Sequence, residues 1–346
     1  MSKSLAISLF VMLLFVSKPV LANEWVRDET RFTIENDCGT GDKHYTNGIR
    51  YEISQRLRGG HRLSGGNPWT FALRTWFPGY NESADPEILE KGWALGQNIY
   101  TPEDIDIYEL IPNDRPYATV LYFARFRRYQ SPTLTQHTEF ELGIAGPMAL
   151  GESVQKGWHE IINVQRPNGW DNQIKTWPVI QWSNRVTTNN WYPFSVFEPQ
   201  DKNTSTDEWL GISGFGYVST GTKMLSSEIG GSVQIGWRVQ QFRSRINDAV
   251  FPVIEREAVT PRKWHAFFVA KHRAYYRPWS IFIDGTPSWR YERSHHVPGD
   301  RTFAESELSG VIGCDKFRLI VSHIIRGPEF DGDGNHRFWS LSIVTH

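Results

Sequence analysis

Five short stretches of this sequence combine side chains that could do chemistry. They are Glu35-Asn36-Asp37, Tyr45-Thr46-Asn47-Gly48, Gly96-Gln97-Asn98-Ile99-Tyr100-Thr101-Pro102, Asp114-Arg115-Pro116-Tyr117-Ala118, and Gly143-Ile144-Ala145-Gly146-Pro147 followed by Val154-Gln155-Lys156-Gly157-Trp158-His159. Residues Glu152 to Gln165 contain few helix breakers and read as a short helix, so the i, i+4 spacing puts Gln155 and His159 on one face. A histidine held in this way can act as a general base toward water. The oxygens of Asn36, Asp37 and Thr46 are hard donors suited to a cation such as calcium. A cation beside the histidine would polarise a carbonyl and stabilise its oxyanion. Each group alone has an ordinary explanation. Asn36 and Asp37 are common turn formers, Thr46 is a good strand residue, His159 could be a solvated loop histidine, and Arg115 could simply pair with Asp114.

Such residues need elements to bring them together, and the pattern along the chain supplies strands. Ile49, Tyr51 and Ile53 alternate with Arg50, Glu52 and Ser54; Val120, Tyr122, Ala124 and Phe126 alternate with Arg125 and Arg127. The same period of two runs through Phe140, Leu142 and Ile144 against Glu139 and Glu141, through Val233, Ile235 and Trp237 against Ser232, Gln234 and Gly236, and through Phe317, Leu319 and Val321 against Arg318 and Ser322. About twelve strands are expected, near 30–37, 45–56, 92–100, 116–129, 137–145, 173–186, 207–219, 226–238, 264–284, 302–313, 317–326 and 337–345. The segment 264–284 is interrupted by Pro278, and the last strand runs to the end of the sequence.

Many strands exceed the roughly 5–6 residues usual in soluble sheets. Aromatic residues gather near strand ends, at Trp69 to Trp76, Trp182, Trp191-Tyr192, Trp264, Tyr275-Tyr276-Arg277-Pro278-Trp279 and Trp339, as an interfacial girdle would require. Aromatics make up 14% of a chain whose mean hydropathy is only −0.46, a pairing that suits strands apolar on one face and polar on the other. The expected fold is all-β: an antiparallel transmembrane barrel, with alternating lumen-phase residues Arg50, Glu52, Arg125, Arg127, Glu139 and Glu141 forming an ion-paired interior rather than an open pore. A net charge of −1 gives no electrostatic reason to bind nucleic acid.

Lys3, the apolar run Leu5 to Val16 and Val20-Leu21-Ala22 before Asn23 read as an export signal covering residues 1–22, leaving 23–346 as one barrel domain. With both barrel ends on the periplasmic side, strand parity sends the segments near 38–44, 101–115, 146–172, 220–225, 285–301 and 327–336 outward. Parity then gathers all five stretches at the outer ends of the first six strands, with the helix holding a base over the barrel mouth. It also sets Cys38 and Cys314 at opposite ends of the barrel, roughly 25–30 Å apart, which excludes a disulfide.

From Glu35 to His159 the motifs occur in the order found in the LpxR-type lipid A deacylases of the outer membrane, which this chain resembles over most of its mature length. The resemblance implies a twelve-stranded barrel and calcium-dependent removal of the 3′-linked acyloxyacyl group of lipid A at the outer leaflet. A monomer is expected, and strand parity turns the site to the cell exterior. Within that site the resemblance implies His159 as general base, Gln155 in support, and Asn36, Asp37 and Thr46 in the metal and oxyanion region. The sequence departs from the family in two places, and in a third from what many outer-membrane barrels show. No Lys lies between Thr101 and Asn113 to assist at the oxyanion, which leaves Arg115 as the substitute. Gln165 stands where a carboxylate can follow the histidine, so a partner carboxylate must come from Glu160, Asp171 or elsewhere. The chain ends in His346 rather than an aromatic residue. Two other functions fit the same residues: an outer-membrane phospholipase using the same histidine and metal, and a non-catalytic barrel. No Gly-x-Ser-x-Gly elbow suggests a serine nucleophile.

Overall fold

The computed structural model describes residues 25–37, 43–57, 88–130, 134–188, 190–193, 209–239, 242–243, 253–254, 264–287, 295–314 and 316–345. In chain order the elements are β1 (Trp25–Asn36), β2 (His44–Leu57), β3 (Ile88–Thr101), β4 (Ala118–Gln130), β5 (Leu134–Ala145), α1 (Gly151–Ile162), β6 (Trp177–Thr188), β7 (Leu210–Gly221) and β8 (Met224–Trp237). They continue with β9 (Phe242–Arg243), β10 (Val253–Ile254), β11 (His265–Ser280), α2 (Ile281–Asp284), β12 (Thr302–Cys314), β13 (Phe317–Arg326) and β14 (His336–Thr345). Twelve strands close into one antiparallel barrel through pairing of β1 with β14, while β9 and β10 form a separate two-stranded ribbon.

Every expected barrel strand is present. The Pro278 segment differs from expectation: β11 stops at Ser280, and a single helical turn, α2, follows. The register of β11 with β8 shifts between Tyr276 and Trp279. A bulge at that point absorbs the missing proline N–H without breaking the wall. Ser280 then caps α2, its Oγ accepting the Phe282 N–H at 3.4 Å.

Alternation decides which side chains fill the barrel and which cover it. Arg50, Glu52, Glu139, Glu141, Arg318 and Ser322 point inward and are buried, while Phe123, Leu142, Ile235, Phe268 and Leu308 stand outward and exposed. Strand β4 runs opposite to the sequence expectation, because Tyr122, Ala124 and Phe126 face the lumen while Arg125 is exposed and Arg127 half-buried. The reason lies in β3. Gly92 and Gly96 carry no Cβ, and the rings of Phe126 and Tyr122 occupy the space a side chain would need. Arg125 and Arg127 sit near the terminal rim, opposite Trp93 and Lys91, where long cationic side chains can reach polar surroundings.

The lumen is laced with charge pairs, as expected from Arg50, Glu52, Glu139 and Glu141. Arg50 donates to both Glu139 oxygens at 2.8 and 2.7 Å, Arg128 reaches Glu52 at 2.5 Å, Lys223 reaches Glu141 at 2.5 Å, and Arg185 reaches Glu228 at 3.0 Å. Arg273 and Arg326 converge on Glu305, and Lys271 pairs with Glu307.

The strand ends define two rims. Trp25 and Thr345 lie at the terminal rim, and Asp37, Lys43 and the segments 102–117, 146–176, 222–223, 281–287, 295–301 and 327–335 lie at the other, loop-rich rim. Trp209, Trp237 and Trp264 stand half exposed at the terminal rim, and Tyr276 and Trp339 at the loop-rich rim. Strand rise and tilt set these two aromatic levels roughly 30 Å apart. Tyr192, Tyr275 and Trp279 turn inward instead: Tyr275 is buried against Phe303, and the other two pack on buried apolar clusters. Among the described residues no helix is long and apolar enough to cross a membrane. Cys314 is a free thiol at the terminal rim. Residues 1–24, Cys38, Trp69 to Trp76 and His346 lie outside the described residues.

Candidate active site

The first two motifs build one corner of the loop-rich rim. Glu35 points into the lumen and accepts a hydrogen bond from the Tyr45 hydroxyl at 2.8 Å; Gly48 leaves room for that ring. The register of β2 with β3 shifts between Tyr45 and Asn47, so Thr46 is bulged out of the ladder. This bulge lets Tyr45 stay inside while the Thr46 hydroxyl pairs with Thr101 Oγ1 at 2.7 Å. Asn36, on the outward phase of β1, donates from Nδ2 to the Thr46 carbonyl at 3.1 Å. Asp37 is buried just beyond the strand, and its Oδ2 accepts the Lys43 N–H at 2.7 Å. Asn36, Asp37, Thr46 and Thr101 therefore neighbour one another at this corner, with one carboxylate among them.

The third to fifth motifs build the adjoining wall. Gln97, Ile99 and Thr101 lie on the outward phase of β3, and Thr119 on that of β4, yet Ile99, Thr101 and Thr119 are buried. The segment after β5 covers them. Gln97 donates from Nε2 to the Ala149 carbonyl at 2.7 Å, and Gly146 donates to the Thr119 carbonyl at 2.9 Å. Gly151, the first residue of α1, lies so close to the Thr119 side chain that any Cβ would clash. Helix α1 is thus held against the outside of the wall, not over the barrel mouth as the sequence suggested. The segment 146–151 leading into the helix covers the outward-phase polar residues Gln97 and Thr119.

Helix α1 is shorter than the expected Glu152 to Gln165. Asn163 adopts a left-handed conformation at φ 55°, and Val164 N–H returns to the His159 carbonyl at 3.0 Å, ending the helix. Gln155 and His159 occupy its wall-facing side and are 4% and 3% exposed. His159 Nδ1 contacts the backbone carbonyl of Gln165. A carbonyl can only accept, so Nδ1 donates here, and in the neutral ring Nε2 is the nitrogen without a proton. Gln155 Oε1 accepts the Trp170 indole N–H at 3.0 Å, whereas its Nε2 is buried without a hydrogen-bond partner among the described residues. Trp170 in turn packs on Tyr117 and Ile99. Thr46 thus meets Thr101 at the end of β3, and Ile99, on the same face of that strand, clusters with Trp170, the hydrogen-bond partner of Gln155.

The remaining expectations divide. Position 165 does supply the partner of His159, but through its main chain. Glu160 is exposed and pairs with Arg166 at 3.3 Å, and Asp171 is exposed. Arg115 is not at the wall: it is buried on the lumen side, 5.1 Å from the Tyr100 ring centre and 3.1 Å from Glu329. Glu329 also takes Arg277; burial alone would raise its carboxyl, but Arg277, Arg115 and Arg326 outweigh it and hold the group well below the usual carboxylate range. Asp114 does not pair with the Arg115 guanidinium. Its carboxylate accepts the N–H groups of Glu103 and Arg115, both at 2.6 Å, and burial nevertheless raises its pKa. Sequence reading missed Trp170, which lay outside every motif, as well as Thr119 and Lys43. Lys43 Nζ reaches Glu103 at 2.7 Å at the same rim.

Comparison with known proteins identifies the family and the fold. The family described as outer membrane protein LpxR matches residues 7–346. Among solved structures, LpxR from Salmonella typhimurium aligns over 92% of this chain and 99% of its own, with 15% identity and a TM-score of 0.67. The β domain of the Bordetella autotransporter BrkA aligns over 93% of this chain and 97% of its own, but at 8% identity and a TM-score of 0.37. No curated protein sequence matches.

Proposed function

The chain belongs to the LpxR family of outer membrane proteins, and from that premise we propose that it is a calcium-dependent lipid A 3′-O-deacylase whose site faces the cell exterior. The observation that carries this reading is the pair on α1: a histidine oriented by its Nδ1 contact, beside a buried amide N–H that has no hydrogen-bond partner among the described residues. In the proposed reaction His159 Nε2 takes a proton from water as the water oxygen bonds to the ester carbonyl carbon. Gln155 Nε2 donates to the oxygen on which charge develops. The ester C–O bond then breaks, and His159 returns the proton to the departing sugar oxygen.

The donor set of Asn36, Asp37, Thr46 and Thr101 is entirely oxygen, which fits a hard cation of the calcium type and excludes soft-metal preference. Calcium bound there would supply positive charge to polarise the ester carbonyl. With a single carboxylate in the set, weak binding in the range of extracellular calcium sites is expected, on the order of 10⁻⁴–10⁻³ M.

The test is mass spectrometry of lipid A from cells producing the wild-type chain or His159→Ala. Loss of the 3′-linked acyloxyacyl group in the first and not the second is the expected outcome, and chelation of calcium should stop the wild-type reaction. An unchanged acyl pattern with folded wild-type protein in the membrane would sink the proposal. Release of fatty acid from glycerophospholipid but not from lipid A would reassign the same residues to a phospholipase.

A further inference from the structure

Helix α1 shows three faces instead of the two of an ordinary surface helix. One side, Gly151, Gln155 and His159, is buried on the wall. A second carries Glu152, Lys156 and Glu160, with Lys156 bonded to Glu152 at 2.6 Å and Glu160 to Arg166. The third is apolar and bare: Val154, Trp158 and Ile161 are exposed, Ile161 at 75%, and Met148 and Leu150 extend the patch at 62% and 54%. At 100° per residue the apolar and charged faces flank the buried one on opposite sides. A helix lying in a membrane interface has this layout, with charge toward headgroups and apolar side chains toward hydrocarbon.

We propose that this flank of α1 is immersed among the acyl chains of the leaflet around the loop-rich rim, making the helix an in-plane anchor. Continuity with the barrel's own lipid-facing surface identifies lipid as the occupant. Thr119, directly beneath Gly151, is followed on the same face of β4 by Leu121 and exposed Phe123, and on β5 by exposed Leu142. Two residues along a strand is roughly 7 Å, so the apolar side of the helix begins where the belt ends. Trp158, half exposed, has the amphipathic ring that prefers this level. The proposal rests on the barrel lying in a membrane and not on the reaction, so its failure would leave the deacylase reading standing.

The experiment uses the full chain with Cys38→Ser and Cys314→Ser, reconstituted in phosphatidylcholine vesicles. Single cysteines, Ile161→Cys, Lys156→Cys or Phe123→Cys, carry an environment-sensitive nitrobenzoxadiazole fluorophore, and folding is confirmed by heat-modifiable gel mobility. Quenching is compared between doxyl groups at an upper acyl position and aqueous iodide. Position 161 should be quenched by the doxyl lipid to within twofold of position 123 and shielded from iodide, while position 156 shows the reverse. Iodide quenching at 161 equal to that at 156 would overturn the proposal. So would protection of 161 from both quenchers, which would assign the flank to a protein contact.

Discussion

Replacing Gln155 separates two jobs held by one side chain. Gln155→Leu removes both the acceptor for Trp170 and the unpartnered Nε2 donor, while Gln155→Glu keeps an acceptor and loses the donor. If Nε2 serves the oxyanion, both variants should lower kcat by about 10²–10³ with little change in KM. A Gln155→Glu enzyme with wild-type kcat would refute that role. Gln165→Ala should keep activity within about twofold, because the contact to His159 comes from the main chain. At the same scale, burial raises Asp333 to about 6 while its Oδ2 accepts the Glu329 N–H. Between about 4 and 6 the folded state then binds more protons than the unfolded one, so this residue's contribution falls as pH rises through that window. Asp333→Asn should therefore gain in thermal midpoint over wild type as pH goes from 4 to 7, read by heat-dependent gel mobility; a pH-independent difference would count against it. Single positions were only partly legible in the sequence. His159 and Gln155 could be paired by helical spacing, but nothing in residue type reveals that a main-chain carbonyl replaces a carboxylate. Nor does it reveal that Arg115 turns inward to Glu329, since both depend on backbone direction in loops.

Among elements, the segment from Gly146 to α1 decides whether the site exists. Gly146 sits at φ 82°, and a Cβ there would run into the carbonyls of Ile174 and Lys175. Gly146→Ala should destabilise the 146–176 segment by about 1–3 kcal/mol. Gly151→Val should push α1 off Thr119 and reduce deacylation at least tenfold while the barrel keeps its thermal midpoint. A loss of barrel folding in Gly151→Val would show that helix and wall are one cooperative unit. The twelve strands were readable because a period of two survives wherever one face meets lipid and the other a charged lumen. The inversion of β4 was hidden for a definite reason. Tyr122 and Phe126 look like lipid-facing residues until Gly92 and Gly96 are seen opposite them, and that pairing depends on register. The helix was visible in the sequence as a helix, but its berth on the outer wall was not, because parity gives the rim and not the side of the rim.

For the molecule as a whole, the lumen charges are paired with one another from strand to strand. Removing one partner of a buried pair is costly even where a second remains, so Glu139→Gln, which leaves Arg50 its 3.3 Å contact with Glu52, should cost up to about 3 kcal/mol in urea unfolding. The same variant should leave deacylation close to wild type under folding conditions, because Arg50 and Glu139 lie on the opposite face of the wall from α1. The seating of His159 and Gln155 outside the wall also changes what substrate concentration means. A lipid would reach them by lateral diffusion without leaving its leaflet, and no gate through the barrel would be required. The governing variable becomes surface density: diluting lipid A with inert detergent at constant bulk molarity should slow turnover in proportion to its mole fraction in the mixed micelle, as for a reaction confined to two dimensions.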